Sequence, residues 1–382
     1  MKYDVAVVGA GVFGSWAAYT LRLQGASVAL IDAYGPGNSR ASSGGESRVI
    51  RLGYGPDELY SRSSLRSLEL WQRLFDKMGR PELFQKTGVL WLAREHDPYC
   101  EAVVKTLDTI GASFEKLDHD TLGTRFPQLV FGPGAWGILE RESGVLMARC
   151  AVQAVAAEAR NIGVDYLEEA IVPPRLDGGK LTTIRMISGK EMGADRYVFA
   201  CGPWLPKVFP ELLGELIHVT RQEVYFFGVP PGDDAFNVGA LPVWIDFNDL
   251  VYGLPNLEGR GFKIAIDAHG PEFDPDTGER VVSVAGLATV REYLAQRVPL
   301  LADAPVIETR VCQYENTSNG DFVIDRHDAF ENVWIVGGGS GHGFKHGPAV
   351  GEYVAGIISG DRIAEPRFSL AMKQTVRKRQ VY

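Results

Sequence analysis

Four short apolar runs of strand length punctuate the chain: Asp4-Val5-Ala6-Val7-Val8, Val28 to Ile31, Tyr197-Val198-Phe199-Ala200 and Val333-Trp334-Ile335-Val336. The first and last enter glycine-rich turns followed by helical stretches, Ser15 to Gln24 and Ala349 to Ile358. A third helical stretch, Cys150 to Ala159, precedes a strand at Gly163 to Leu167. Strand, turn and helix in that order predict α/β units. The middle of the chain differs. Leu241 to Asp246, Leu250 to Pro255 and Gly261 to Asp267 are short strands between Gly, Asn and Pro turns, which predict an antiparallel meander. In the last of these, a period of two puts Phe262, Ile264 and Ile266 on one face and Lys263, Ala265 and Asp267 on the other. A lysine central in such a strand is costly unless solvated or paired. At roughly 3.3 Å per residue, Asp267 lies about 13 Å from Lys263, on the same wall but beyond ion-pair reach.

Length and charge narrow the classes. At roughly 150 residues per domain, 382 residues make two or three domains. A net charge of −9 makes nucleic acid and anionic lipid poor partners. The four cysteines, Cys100, Cys150, Cys201 and Cys312, form no CxxC or zinc-type spacing, so no metal site is expected. The first residues lack a signal-peptide pattern, and no apolar run reaches the ~18 residues of a membrane span. A cytoplasmic protein with free thiols is expected. Glycine is in excess, at 44 of 382 residues against a usual value near 7%. Such an excess implies tight turns or backbone lying close to a ligand.

The first turn, Gly9-Ala10-Gly11-Val12-Phe13-Gly14, has the GxGxxG spacing, and Asp32 ends the next strand about 20 residues on. Gly9 makes the turn, Gly11 lets backbone approach a pyrophosphate, Gly14 lets the helix pack on the sheet, and Asp32 accepts ribose hydroxyls. These features point to a dinucleotide but leave NAD and FAD open. The following segment, Ser42-Ser43-Gly44-Gly45-Glu46-Ser47-Arg48-Val49-Ile50-Arg51, resembles the sarcosine oxidase-like branch of the D-amino-acid oxidase family of flavoproteins. That branch holds sarcosine, N-methyltryptophan, pipecolate and fructosyl amino acid oxidases (amadoriases). The resemblance implies FAD, with Ser42, Ser43 and Arg48 along the flavin and Arg51 gripping a substrate carboxylate. By composition alone, two arginines three apart are more often a solvated helix face.

Further segments carry the same resemblance. Gly341-His342-Gly343-Phe344-Lys345 matches the branch's C-terminal motif, whose lysine joins the arginine on the carboxylate. Val311-Cys312-Gln313-Tyr314 places Cys312 as the covalent thioether to the flavin and Tyr314 against the substrate. The resemblance also puts Tyr252 in the active site, Lys263 at the dioxygen-activating position, and backbone of Val172 against adenine. Cys201-Gly202-Pro203-Trp204 is similar to a second flavin-contacting turn, though an ordinary Gly-Pro turn explains it equally well. Three positions depart from sarcosine oxidase. Asp267 and Gly44 stand where it has histidine, and His346 where it has phenylalanine; amadoriases have an acid at the first.

The resemblance spans nearly the whole chain. It implies an α/β (α+β) fold, with a Rossmann-type FAD-binding domain (1–80, 144–210 and 320–382) interleaved with an antiparallel-sheet substrate domain (81–143 and 211–319). The expected activity is FAD-dependent oxidation of an N-substituted α-amino acid by a monomer, with dioxygen reduced to hydrogen peroxide. Alternatives are an amadoriase-like oxidase, a dehydrogenase serving a quinone or electron carrier, and a non-enzymatic FAD-binding assembly factor. The basic tail Arg377-Lys378-Arg379 is read as solvated.

Overall fold

The computed structural model describes residues 2–175 and 178–375, so the basic tail lies outside the described residues. The first three apolar runs build the centre of one sheet. Lys2–Val8 lies parallel between Val28–Asp32 and Glu191–Phe199, and the outer neighbours are Asp165–Glu168 on one side and Val333–Gly337 on the other. Val323–Arg326 and Thr183–Arg185 add antiparallel partners. Val5 and Val7 face a core cluster that includes Trp16, Ala151 and Val354, whereas Ala6 and Val8 face another that includes Leu205, Phe209 and Leu213. Both faces are covered, which is why these strands are continuously apolar rather than alternating.

Helices Val12–Leu23, Ala148–Asn161 and Gly347–Ser359 contribute to the first cluster. The first starts at Val12 rather than Ser15, because Gly11 is its N-cap and the later residues of the GxGxxG turn are already helical. Gly9 adopts φ +103°, and a Cβ there would lie 2.3 Å from the Ala200 carbonyl oxygen, so the turn admits only glycine. Glu191–Phe199 begins well before the predicted Tyr197, because its polar first half pairs with Thr183–Arg185.

The second sheet runs in the order 306–316, 218–227, 262–266, 251–254, 243–246, 89–93, 136–140 and 115–117. It contains the predicted meander, and every neighbouring pair is antiparallel except Val243–Ile245 against Val89–Trp91. Phe262 and Ile264 turn into a cluster with Val290 and Leu294 of the helix Val284–Arg297. The opposite face, with Lys263 and Ala265, looks into a cavity. A small sheet of Arg48–Ile50, Gly144–Leu146 and Phe84–Gln85 joins the chain after the first turn to later segments.

Candidate active site

Two cavities share a seam. The larger is a cleft of about 1370 Å³ of open space, lined by Gly9, Gly11, Asp32, Ser42, Ser43, Arg48, Gly341, Gly343 and Phe344 among others. At its N-terminal end the Asp32 carboxylate accepts from Ala10 N–H (2.7 Å) and Tyr34 N–H (2.9 Å). Burial raises its pKa despite those bonds. Ser43 Oγ accepts from Val12 N–H (3.1 Å) at the start of the first helix. The turn Cys201 to Trp204 also lines the cleft. Val172 does not. The lining segment there is Glu169 to Ile171, and Val172 gives its N–H to the Arg185 carbonyl (2.7 Å), beside the isolated bridge between Ile171 and Met186.

The smaller cavity, about 880 Å³, brings together Arg51, Tyr252, Lys263, Asp267, Tyr314 and Lys345. These residues come from widely separated parts of the sequence. Lys263 is 3% exposed, and its Nζ donates to the carbonyl (2.9 Å) and Oγ (3.0 Å) of Ser47. Burial, and then the neighbouring Arg48 cation, push its pKa down to about 7. Asp267 accepts from Tyr314 Oη at 2.7 Å. Burial raises its pKa to about 6 against the opposing pull of Tyr314, Arg51 and Lys345. Lys345 Nζ donates to Tyr54 Oη (2.8 Å) and the His342 carbonyl (2.9 Å). Arg51 is 6% exposed, with its guanidinium carbon 4.2 Å from the Tyr54 ring centre and 4.9 Å from that of Trp91.

Arg48, Cys312, Tyr314, Gly341 and Phe344 line both cavities. Arg48 fixes this seam: it donates to the Ser42 carbonyl (2.9 Å), the Ser47 carbonyl (2.9 Å) and Cys312 Sγ (3.2 Å). Ser42 Oγ in turn donates to the Gln313 carbonyl (3.0 Å), tying the N-terminal segment to the strand that carries Cys312 and Tyr314.

The model of the DAO family, described as FAD dependent oxidoreductase, matches residues 4–357. The chain belongs to that family. It is similar to the monomeric sarcosine oxidase of Bacillus sp. (strain NS-129), 31% identical over 362 residues that cover 94% of this chain and 93% of that protein. It is also similar to the N-methyl-L-tryptophan oxidase of Salmonella heidelberg (strain SL476), 27% identical over 365 residues and covering 94% and 95% of the two chains. Among solved structures, L-proline dehydrogenase from P. horikoshii shares the fold, with a TM-score of 0.81, 21% identity and 97% of each chain covered.

This DAO-family chain is therefore an FAD-dependent oxidoreductase acting on CH–NH groups. Its cleft suits an extended anionic dinucleotide. Gly11 and Gly343 present backbone without side chains on its walls, and a helix N-terminus opens into it. Glu315, also on the wall, accepts from Gly339 N–H (3.3 Å) while its second carboxyl oxygen is buried without a hydrogen-bond partner. Burial pushes its pKa up to about 7 against the opposing pull of the Gly339 and Gly338 N–H groups. Nothing in the strand pattern marked Glu315; the residue after the Cys-x-Tyr run was its only signal.

Two departures have structural reasons. A Cβ at Gly44 would lie 1.8 Å from the Asn38 carbonyl oxygen, so this loop has no room for a histidine. His346 is fully buried, within hydrogen-bond distance of Tyr54 and Ser63. Glu140 was invisible to motif reading. Its buried carboxylate accepts from Leu52 N–H (2.7 Å), Gly53 N–H (2.9 Å) and Trp91 Nε1–H (2.8 Å), and so holds the loop after Arg51. Among the described residues no cluster of His, Cys, Asp or Glu is arranged to hold a metal ion, and no helix is long and apolar enough to cross a membrane.

Proposed function

We propose that this protein is an amine oxidase for N-substituted α-amino acids, using FAD in the cleft and dioxygen as the acceptor. One observation carries the reading: two buried basic side chains, Arg51 and Lys345, line the same small cavity as Tyr252, Tyr314 and Asp267, and that cavity meets the cofactor cleft at Arg48 and Cys312. Arg51 and Lys345 hold the substrate carboxylate by charge-assisted hydrogen bonds, which orients the carbon beside nitrogen toward the seam. The same cations disfavour the ammonium form of the bound substrate and so favour the neutral amine that reacts. When bound, FAD supplies a two-electron acceptor for the C–H bond beside nitrogen and passes the electrons to dioxygen, giving an imine and hydrogen peroxide. Lys263, buried against Ser47, provides the positive charge that favours reduction of dioxygen. Cys312, which lines both cavities, is the residue that would hold the cofactor covalently through its thiol.

The relatives named for sarcosine and N-methyltryptophan support this substrate class. Asp267 motivates a second reading, a fructosyl amino acid, because a buried acid facing the cavity suits a sugar hydroxyl. A panel of sarcosine, pipecolate and fructosyl-glycine separates the two. Arg51→Ala should weaken carboxylate inhibitors by about 100-fold, the loss of charged hydrogen bonds worth roughly 2–3 kcal/mol. Unchanged inhibitor affinity in that variant would remove the carboxylate anchor.

A further inference from the structure

One end of the substrate cavity carries a chain of hydrogen bonds that substrate binding does not require. Lys345 Nζ lies 2.8 Å from Tyr54 Oη, Tyr54 Oη lies 2.7 Å from His346 Nε2, and His346 Nδ1 lies 2.9 Å from Ser63 Oγ. Lys345, Tyr54 and His346 are buried, at 5%, 1% and 0% exposed. Ser63, on the helix Glu58–Lys77, is only partly buried and is the chain's outer end. Each intermediate group can donate and accept: two hydroxyls and an imidazole that takes a proton at one nitrogen while releasing it at the other. His342 is a side branch. Its Nδ1 lies 3.3 Å from Tyr54 Oη, but its Nε2 faces the Gly320 carbonyl (3.0 Å), which has no proton to pass on.

We propose that Tyr54, His346 and Ser63 form a proton path between solvent and Lys345, so that Lys345 exchanges its proton with bulk water while the cavity is closed over an anion. The proposal rests on Lys345 as part of the carboxylate anchor. Both hydrogen-bond partners of Lys345 Nζ are neutral oxygens. The charged or titratable groups that face it are Arg51, Asp267, Glu140, Tyr54 and the two histidines. Burial and then Arg51 hold its pKa well below the usual range, and neither hydrogen-bond partner carries a charge that would offset them. A docking carboxylate supplies the missing counter-charge, which favours the ammonium and draws a proton to Nζ. Moving inward, water protonates Ser63 Oγ, Ser63 passes its own proton to His346 Nδ1, His346 releases one from Nε2 to Tyr54, and Tyr54 gives one to Lys345. One proton enters and one N–H bond forms, with no change in electron count. On release of the anion the sequence runs backwards.

The test mixes purified holoenzyme with acetate, a carboxylate that carries no ammonium proton, in weak buffer containing a pH-indicator dye. Flavin absorbance reports acetate binding, and the dye reports the proton. The wild type should take up a proton with acetate. His346→Phe should bind acetate yet take up the proton slower by about tenfold or more. Ser63→Ala, a milder change at the outer end, should also slow uptake and guards against misfolding of the first variant. A dye trace as fast in both variants as in the wild type overturns the path, as does acetate binding without proton uptake in the wild type. Failure of acetate to perturb the flavin overturns the carboxylate anchor, and the path falls with it.

Discussion

An ammonium placed 3% exposed against two neutral oxygens works against folding, and Lys263 is such a group. With its pKa down to about 7, the folded protein binds fewer protons here than the unfolded chain between that pH and the ordinary lysine value near 10.5. Stability therefore rises with pH across that window, and the full penalty applies at and below about pH 7. Lys263→Met should stabilise the protein by several kcal/mol, on the order of 4, at pH 7, with the gain shrinking to nothing by about pH 10.5. Urea unfolding at several pH values measures it. The same substitution should slow reoxidation of the reduced enzyme by dioxygen about 100-fold while leaving anaerobic reduction by substrate intact. Slow reoxidation already present in the wild type and unaffected by the substitution would favour the dehydrogenase alternative. Both outcomes together would make Lys263 a residue that lowers stability and raises turnover, the trade expected at a catalytic position.

At the scale of elements, the loop from Arg51 to Tyr54 depends on a strand far from it in sequence. Glu140, at the end of Trp136–Glu140, collects the N–H groups of Leu52 and Gly53, the Trp91 indole N–H and the Ser143 hydroxyl. Glu140→Gln keeps the shape but replaces an oxygen acceptor with a donor, so the loop loosens and Arg51 is held less firmly over Trp91. The expected outcome is a rise in KM of about tenfold with kcat little changed, because the lost term is positioning of the binding cation. Glu140→Ala strands several buried donors at about 1–3 kcal/mol each and should show as a large fall in thermal midpoint. This carboxylate also marks the limit of what sequence conveys. The GxGxxG turn, the period-2 strand around Lys263 and the Gly-rich turn before Lys345 are local patterns, and local patterns survive in a linear string. Glu140, Tyr54, His346 and Glu315 act through contacts made by distant segments, and no spacing rule registers those. Val172 shows the converse: the resemblance pointed to this residue, but its N–H is taken by the Arg185 carbonyl, and the neighbouring Glu169 to Ile171 line the cleft instead.

At the scale of the whole molecule, each strand of the first sheet falls within 1–80, 144–210 and 320–382, and each strand of the second within 81–143 and 211–319. Cleft residues near the N-terminus meet Cys312 and the Gly341–Phe344 turn only through the tertiary fold. A dinucleotide seated on Gly9 to Gly14 and joined at Cys312 would therefore tie the two sheets together, since the strand Val306–Asn316 belongs to the second. Acid precipitation of the wild type should leave the yellow chromophore with the protein, whereas Cys312→Ala should release FAD to the supernatant. The released state has a thermodynamic signature as well. With the link gone, cofactor stabilises only by mass action, adding about 2.7 kcal/mol at a free concentration 100 times Kd. The thermal midpoint of Cys312→Ala should accordingly rise with added FAD, and that of the wild type should not. Free FAD in the wild-type supernatant, together with a wild-type midpoint that climbs with added FAD, would remove the thioether and leave Cys312 as a small buried side chain beside Arg48.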